Sequence, residues 1–74
     1  MRKPRDSEDT RQRVLAAAQE QFAKHGFSGT SLAAISQQSG ISDGLILYHF
    51  QSKRNLYRQV LESMADQYTQ VLAA

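Results

Sequence analysis

The 74-residue chain contains no cysteine, so neither a disulfide framework nor a thiolate zinc site can be built from it. That absence suits a reducing cytoplasm. Its two histidines are too few for a metal centre. No glycine-rich loop is present to cradle phosphate. No apolar run approaches the roughly 18 residues of a membrane span, and no hydrophobic segment follows the basic N-terminus as a signal peptide requires. The chain is therefore expected to be soluble and unexported, with no membrane partner and no cofactor. It lacks internal repeats, low-complexity tracts and useful strand-like alternation. The single proline, Pro4, falls in a polar opening stretch, residues 1–6, which reads as a mobile basic arm. Arg2, Lys3 and Arg5 there are either a solvated tail or a reach toward a minor groove.

Charge of one sign is also scarce. Nine Lys and Arg against seven Asp and Glu leave a net charge of only +2, too little for a strongly basic nucleic-acid binder. The distribution is uneven. Residues 1–13 hold five basic and three acidic groups, and residues 53–58 hold three basic and none acidic. Modest basicity suffices if a dimer combines two half-sites. Enzymatic chemistry is disfavoured. The carboxylates fall mostly on expected exposed faces, and so small a domain offers neither an oxyanion hole nor a buried orienting acid for Ser42, Asp43 and His49 to act as a triad.

Four helices account for what is present. Helix one spans about Ser7 to Lys24, with an apolar stripe of Val14, Leu15, Ala18 and Phe22, and Gly26 placed to end it. His25 suits the negative end of its dipole, and Phe27 returns the chain to the core. Helix two spans about Ser31 to Ser39, with Thr30 as a candidate N-cap and Leu32 and Ile35 on one face. Ser36 is small where the helices must approach. Gly40 stands where the chain reverses, and Ile41 plugs back inward. Helix three, about Asp43 to Phe50, has Ser42 as cap and Ile46 and Phe50 on its inner face. Helix four begins near Lys53 with Ser52 as cap.

Apolar residues at 32, 35, 41, 46 and 50, with small ones at 36 and 40, fit a helix-turn-helix. An ordinary corner of two helices without a ligand has similar spacing. The outward face separates the two readings. Asp43, Gly44, Leu45 and Tyr48 lie outward or at the rim. The N-terminus of helix three offers free backbone amides to a phosphate. Tyr48, His49 and Lys53 are suited to phosphate oxygens. Taken singly, Tyr48 reads as a half-buried aromatic and His49 as a surface histidine; together with Lys53 they read as a phosphate clamp.

These residues carry a resemblance. Gly26-Phe27, Thr30-Ser31, Gly40-Ile41-Ser42, and the run from Gly44 to Lys53 with Tyr48-His49-Phe50 and Ser52-Lys53-Arg54-Asn55-Leu56 resemble the N-terminal DNA-binding domain of TetR-family transcriptional regulators. The likeness covers about residues 10 to 65. It implies an all-α, homeodomain-like three-helix bundle with a helix-turn-helix, plus a long fourth helix. It implies DNA contact by Thr30, Ser31, Ala33, Ser42, Asp43, Gly44, Leu45, Tyr48, His49 and Lys53. Three departures bear on the operator. Leu47 replaces a common tyrosine and its phosphate-contacting hydroxyl. Asp43 replaces a basic or neutral residue; it is repelled by phosphate but can accept from cytosine N4. Leu45 replaces a small polar residue and can touch a thymine methyl.

The apolar stripe of helix four, Leu56, Tyr57, Val60, Leu61, Met64, Tyr68, Val71 and Leu72, persists to the last residues. A helix of about 20 residues spans roughly 30 Å, more than the shorter elements beside it need. The expectation is a chain cut within a longer protein: residues 1–6 an arm, 7–52 the DNA-binding bundle, and 53–74 a helix leading to an absent effector and dimerisation domain. By resemblance, the whole protein is a cytoplasmic, bacterial, ligand-responsive repressor. It would act as a homodimer on double-stranded DNA at a palindromic operator, associated with the nucleoid when bound, and take a small-molecule effector in the absent domain. The alternatives are a helical protein-interaction module using helix four, and a complete small DNA-binding protein that dimerises through Met64 to Leu72.

Overall fold

The computed structural model describes the backbone of residues 4–73 and the side chains of residues 7–67. Within these limits the chain is four α-helices: α1 Pro4–His25, α2 Leu32–Ser39, α3 Asp43–Phe50 and α4 Lys53–Ala73. The boundaries of α3 and the start of α4 are those expected from their serine caps. The first helix differs: it begins at Pro4, inside the stretch read as a mobile arm. Proline is favoured at the first helical position, because its missing N–H would lack an intrahelical partner there anyway. Arg2 and Lys3, and the side chain of Arg5, expected either in a solvated tail or reaching a minor groove, lie outside the described residues.

The long α1 lies across both α2 and α4, and α3 is held between α2 and α4. Their shared core is Val14, Leu15, Ala17, Ala18 and Phe22 from α1, Ile35 from α2, Ile41 from the turn, Ile46 and Phe50 from α3, and Leu56 and Val60 from α4. The stripe read in α1 is thus inward, with Ala17 added to it, and so are Ile46 and Phe50 of α3. The stripe expected along α4 is inward at Leu56 and Val60, half-buried at Tyr57 and exposed at Leu61 and Met64, while Tyr68, Val71 and Leu72 lie outside the residues whose side chains are described. Phe27, Leu32 and Tyr57 pack against this core from its edge. Phe22, Phe27 and Tyr57 form a cluster: Phe22 meets Tyr57 edge-on with centroids 4.9 Å apart, and Phe27 meets Tyr57 at 5.1 Å. Arg11 ties α1 to the other side. Its guanidinium sits 5.2 Å from the Phe50 ring centroid and donates to Gln59 Oε1 at 3.2 Å. Cationic stacking on an aromatic face is a modest but directional attraction.

Gly40 ends α2 in the left-handed region (φ 77°, ψ 14°), and its amide donates to the Ser36 carbonyl at 2.9 Å. The small residue buried at this turn is Ser39, at 8% exposure, whereas Ser36 is only half-buried. Ser39 Oγ accepts the Ile41 amide at 3.1 Å and so fixes the exit from the turn. Arg13 donates to the Ser39 carbonyl at 3.3 Å, capping the same end from α1. Replacing Gly40 with alanine forces a side chain into left-handed backbone. A Cβ there meets Arg13 Nη2 at 3.4 Å, an ordinary contact, so conformation dominates the cost. The expected loss is about 1–2 kcal/mol of unfolding free energy, measurable by chemical denaturation.

Candidate nucleic-acid interface

Three serines start the three C-terminal helices in the same way. Ser31 Oγ accepts the Ala34 amide at 3.1 Å, Ser42 Oγ the Leu45 amide at 3.2 Å, and Ser52 Oγ the Asn55 amide at 3.0 Å. Each satisfies one of the amides that a helix start leaves without an intrahelical partner. The remaining amides of the first turn, those of Asp43 and Gly44 in α3, stand at the positive end of the helix dipole, where an anion is favoured.

The inner and outer faces of α3 are sharply divided. Ile46 and Phe50 are wholly buried, while Tyr48 is 76% exposed. Ser42, Asp43, Gly44, Leu45 and Leu47 are exposed, and His49 is half-buried. A Cβ built on Gly44 meets nothing within 4 Å, so the backbone of the first turn is open to close approach. The Tyr48 and His49 rings pack edge-on with centroids 5.3 Å apart. On α2, Ser31 and Ala33 are exposed.

Two residues of the expected contact set are placed elsewhere. Thr30 is 2% exposed, and its hydroxyl lies 3.0 Å from the Gln21 carbonyl and 2.8 Å from the Gly26 carbonyl. It is therefore a loop tie, not a helix cap and not a side chain available to DNA; the cap is Ser31. Lys53 is also turned inward. Its ammonium donates to the Phe27 carbonyl at 2.9 Å and the Thr30 carbonyl at 2.8 Å, and lies 4.4 Å from the Phe27 ring centroid. The phosphate clamp expected of Lys53 is replaced by a clamp on the α1–α2 loop. Its partners stand 26 and 23 residues away in sequence, and no local pattern reveals them. The loop itself is close-packed, for a Cβ on Gly29 would collide with the His25 carbonyl oxygen.

The α3–α4 corner carries a feature that composition could not signal. Gln51 has φ 72° and ψ −40°, and the Ser52 amide donates across it to the Phe50 carbonyl at 2.8 Å. This is a γ-turn of the strained, positive-φ kind. Asn55 stabilises it by donating to the Phe50 carbonyl at 2.8 Å and to Gln51 Oε1 at 3.1 Å. Gln51 and Asn55 thus set the angle at which α3 leaves α4. Their signal in the sequence was only the serine cap between them.

A family model for bacterial regulatory proteins of the tetR family matches residues 14–60, the whole of the buried framework just described. The chain belongs to the TetR family. It is 33% identical over 61 residues to the HTH-type transcriptional regulator TtgR of Pseudomonas putida, covering 82% of this chain and 29% of that protein. It is 42% identical over 53 residues to the HTH-type transcriptional regulator RutR of Escherichia coli, covering 72% of this chain and 25% of that protein. Among solved structures it superimposes on HlyIIR, a hemolysin II transcriptional regulator. The TM-score is 0.74 at 32% identity, over 76% of this chain and 31% of that one. The chain spans about a quarter to a third of the length of the curated relatives it matches. As a TetR-family domain, its α2–turn–α3 unit is the helix-turn-helix, and the all-α fold expected from the sequence is the one found.

Proposed function

We propose that this domain binds double-stranded DNA sequence-specifically, laying α3 in the major groove as the reading helix of a transcriptional regulator. The observation that carries this is the division of α3: a wholly buried inner face of Ile46 and Phe50 beneath an outer face where Tyr48 is 76% exposed. A helix so mounted can enter a groove without disturbing its core. The contact set is Ser31, Ala33, Ser42, Asp43, Gly44, Leu45, Tyr48 and His49. The serines and the α3 amides address phosphate, and the first turn of α3 faces base edges. The whole protein is proposed to be a cytoplasmic repressor that works as a homodimer on a palindromic operator. A small-molecule effector would bind outside the present domain and alter the spacing of the two reading helices. The chemistry is recognition only, with no catalysis and no cofactor.

Selection of preferred duplexes from a random pool by the full-length protein tests this reading, followed by titration of the best site against salt. Binding that weakens as salt rises, at a site with two-fold symmetry, supports it. A second reading rests on α4, where Leu61 and Met64 are 48% and 43% exposed. That outer face suits a protein partner, and binding through it would be insensitive to salt. Failure to enrich any duplex, with a salt-insensitive protein partner instead, would sink the DNA reading.

Gly44 separates folding from recognition. Alanine there improves helix propensity, and unfolding free energy is expected to rise by about 0.5–1 kcal/mol. Affinity for the selected duplex is expected to fall, because the added methyl stands where backbone meets DNA. Thermal unfolding and duplex titration of the same Gly44→Ala protein should therefore move in opposite directions.

A further inference from the structure

This inference rests on the DNA-binding reading above and concerns what that face reads. From His25 to Ser52 the sequence contains no lysine or arginine. That span holds all of α2, the turn and all of α3. Guanine presents two acceptors in the major groove, and the commonest specific contact to it is a bidentate arginine or a lysine. The helix-turn-helix has neither to offer. Asp43, the one acidic residue of α3, is an acceptor and is repelled by guanine's acceptors. The long amides of α2 do not fill the gap. Gln37 and Gln38 lie in its last turn. Gln38 is engaged on both sides, donating to Glu20 Oε1 at 2.6 Å and accepting from Gln21 Nε2 at 2.7 Å.

What α3 does present is apolar. Leu45 is 40% exposed in the first turn, the end of a reading helix that meets base edges. It stands beside the bare backbone of Gly44, and Tyr48 follows three residues on, along the same exposed face. Among the major-groove features of the four base pairs, the thymine 5-methyl group is the apolar one. We infer that the site preference of this domain is carried by thymine methyl groups read by Leu45, not by guanine edges.

Deoxyuridine tests this, because it differs from thymidine only by the missing methyl. In the duplex selected by the full-length protein, each thymine is replaced singly by deoxyuridine and affinity is measured. At one or more thymines per half-site, affinity is expected to fall about fourfold, the worth of one methyl removed from water. With Leu45→Ala, an exposed substitution that leaves the core intact, thymine and deoxyuridine duplexes should bind alike. A duplex in which every deoxyuridine is neutral overturns the inference and leaves DNA binding standing. A methyl penalty undiminished in Leu45→Ala also overturns it, by assigning the contact to another residue. Failure to select any duplex overturns both this inference and the reading beneath it.

Discussion

Replacing Lys53 with methionine is expected to destabilise the domain by about 2 kcal/mol, because the substitution removes a charge-assisted donor from two carbonyls. The Phe27 and Thr30 carbonyls, now bridged at 2.9 and 2.8 Å, would lose their shared partner, and the ammonium's contact with the Phe27 ring would go too. A small domain has of order 5 kcal/mol to lose, so the midpoint of urea denaturation should drop markedly. The functional consequence is indirect. The loop that Lys53 holds delivers Ser31 to the start of α2, and α2 supports the turn into α3. Affinity should fall for all duplexes alike, with the salt slope unchanged. A lysine contacting phosphate gives a different result: unfolding free energy would be unmoved and the slope would shrink by about 0.9. Lys53→Arg discriminates further, since it keeps the charge and the donors and should recover much of the lost stability.

The contrast between Lys53 and Ser42 shows what sequence can and cannot disclose in this fold. Ser42 acts on the amide three residues ahead. Its role follows from being a small hydroxyl residue just before an apolar helical stripe, and the bounds of α3 follow with it. Gly40 is equally local, because a reversal between two helices needs left-handed backbone that other residues resist. The inward stripe of α1 and the assignment of Ile46 and Phe50 to the core are periodicity made visible. Thr30 and Ser31 mark the limit. They are adjacent hydroxyl residues before a helix, and each is a reasonable cap. What decides between them is that Gly29 packs against the end of α1 and drives Thr30 under the loop, where its hydroxyl meets the Gln21 and Gly26 carbonyls. Lys53 fails for the same reason. A lysine opening a helix beside a DNA-reading segment suggests phosphate, but its ammonium finds two carbonyls exposed by a loop far away in sequence. Gln51 is a third case: its positive φ comes from closing α3 onto α4 within two residues, and nothing in a glutamine announces that.

The second large effect is expected at Phe50, and it is most informative beside Tyr48. The two aromatics are two residues apart on one short helix and lie on opposite faces. Phe50 is wholly buried in contact with the common core and lies under the Arg11 guanidinium. Truncation to alanine should cost about 3–5 kcal/mol, the range for deleting a buried phenylalanine ring. That approaches the whole stability of such a domain, so Phe50→Ala is expected to be largely unfolded, with helical circular dichroism reduced at room temperature. Tyr48 is 76% exposed, and its truncation should leave unfolding free energy within about 0.5 kcal/mol of the parent. Its effect belongs to binding: a lost hydroxyl and ring on the outer face should weaken the selected duplex while the protein remains folded. Equal losses of stability at the two positions would mean that α3 is rotated from the orientation described, with its outer face against the core. The proposed reading helix would then have no free surface to present to a groove. A Tyr48→Ala protein that is folded and binds DNA undiminished would leave the orientation intact and remove Tyr48 from the contact set.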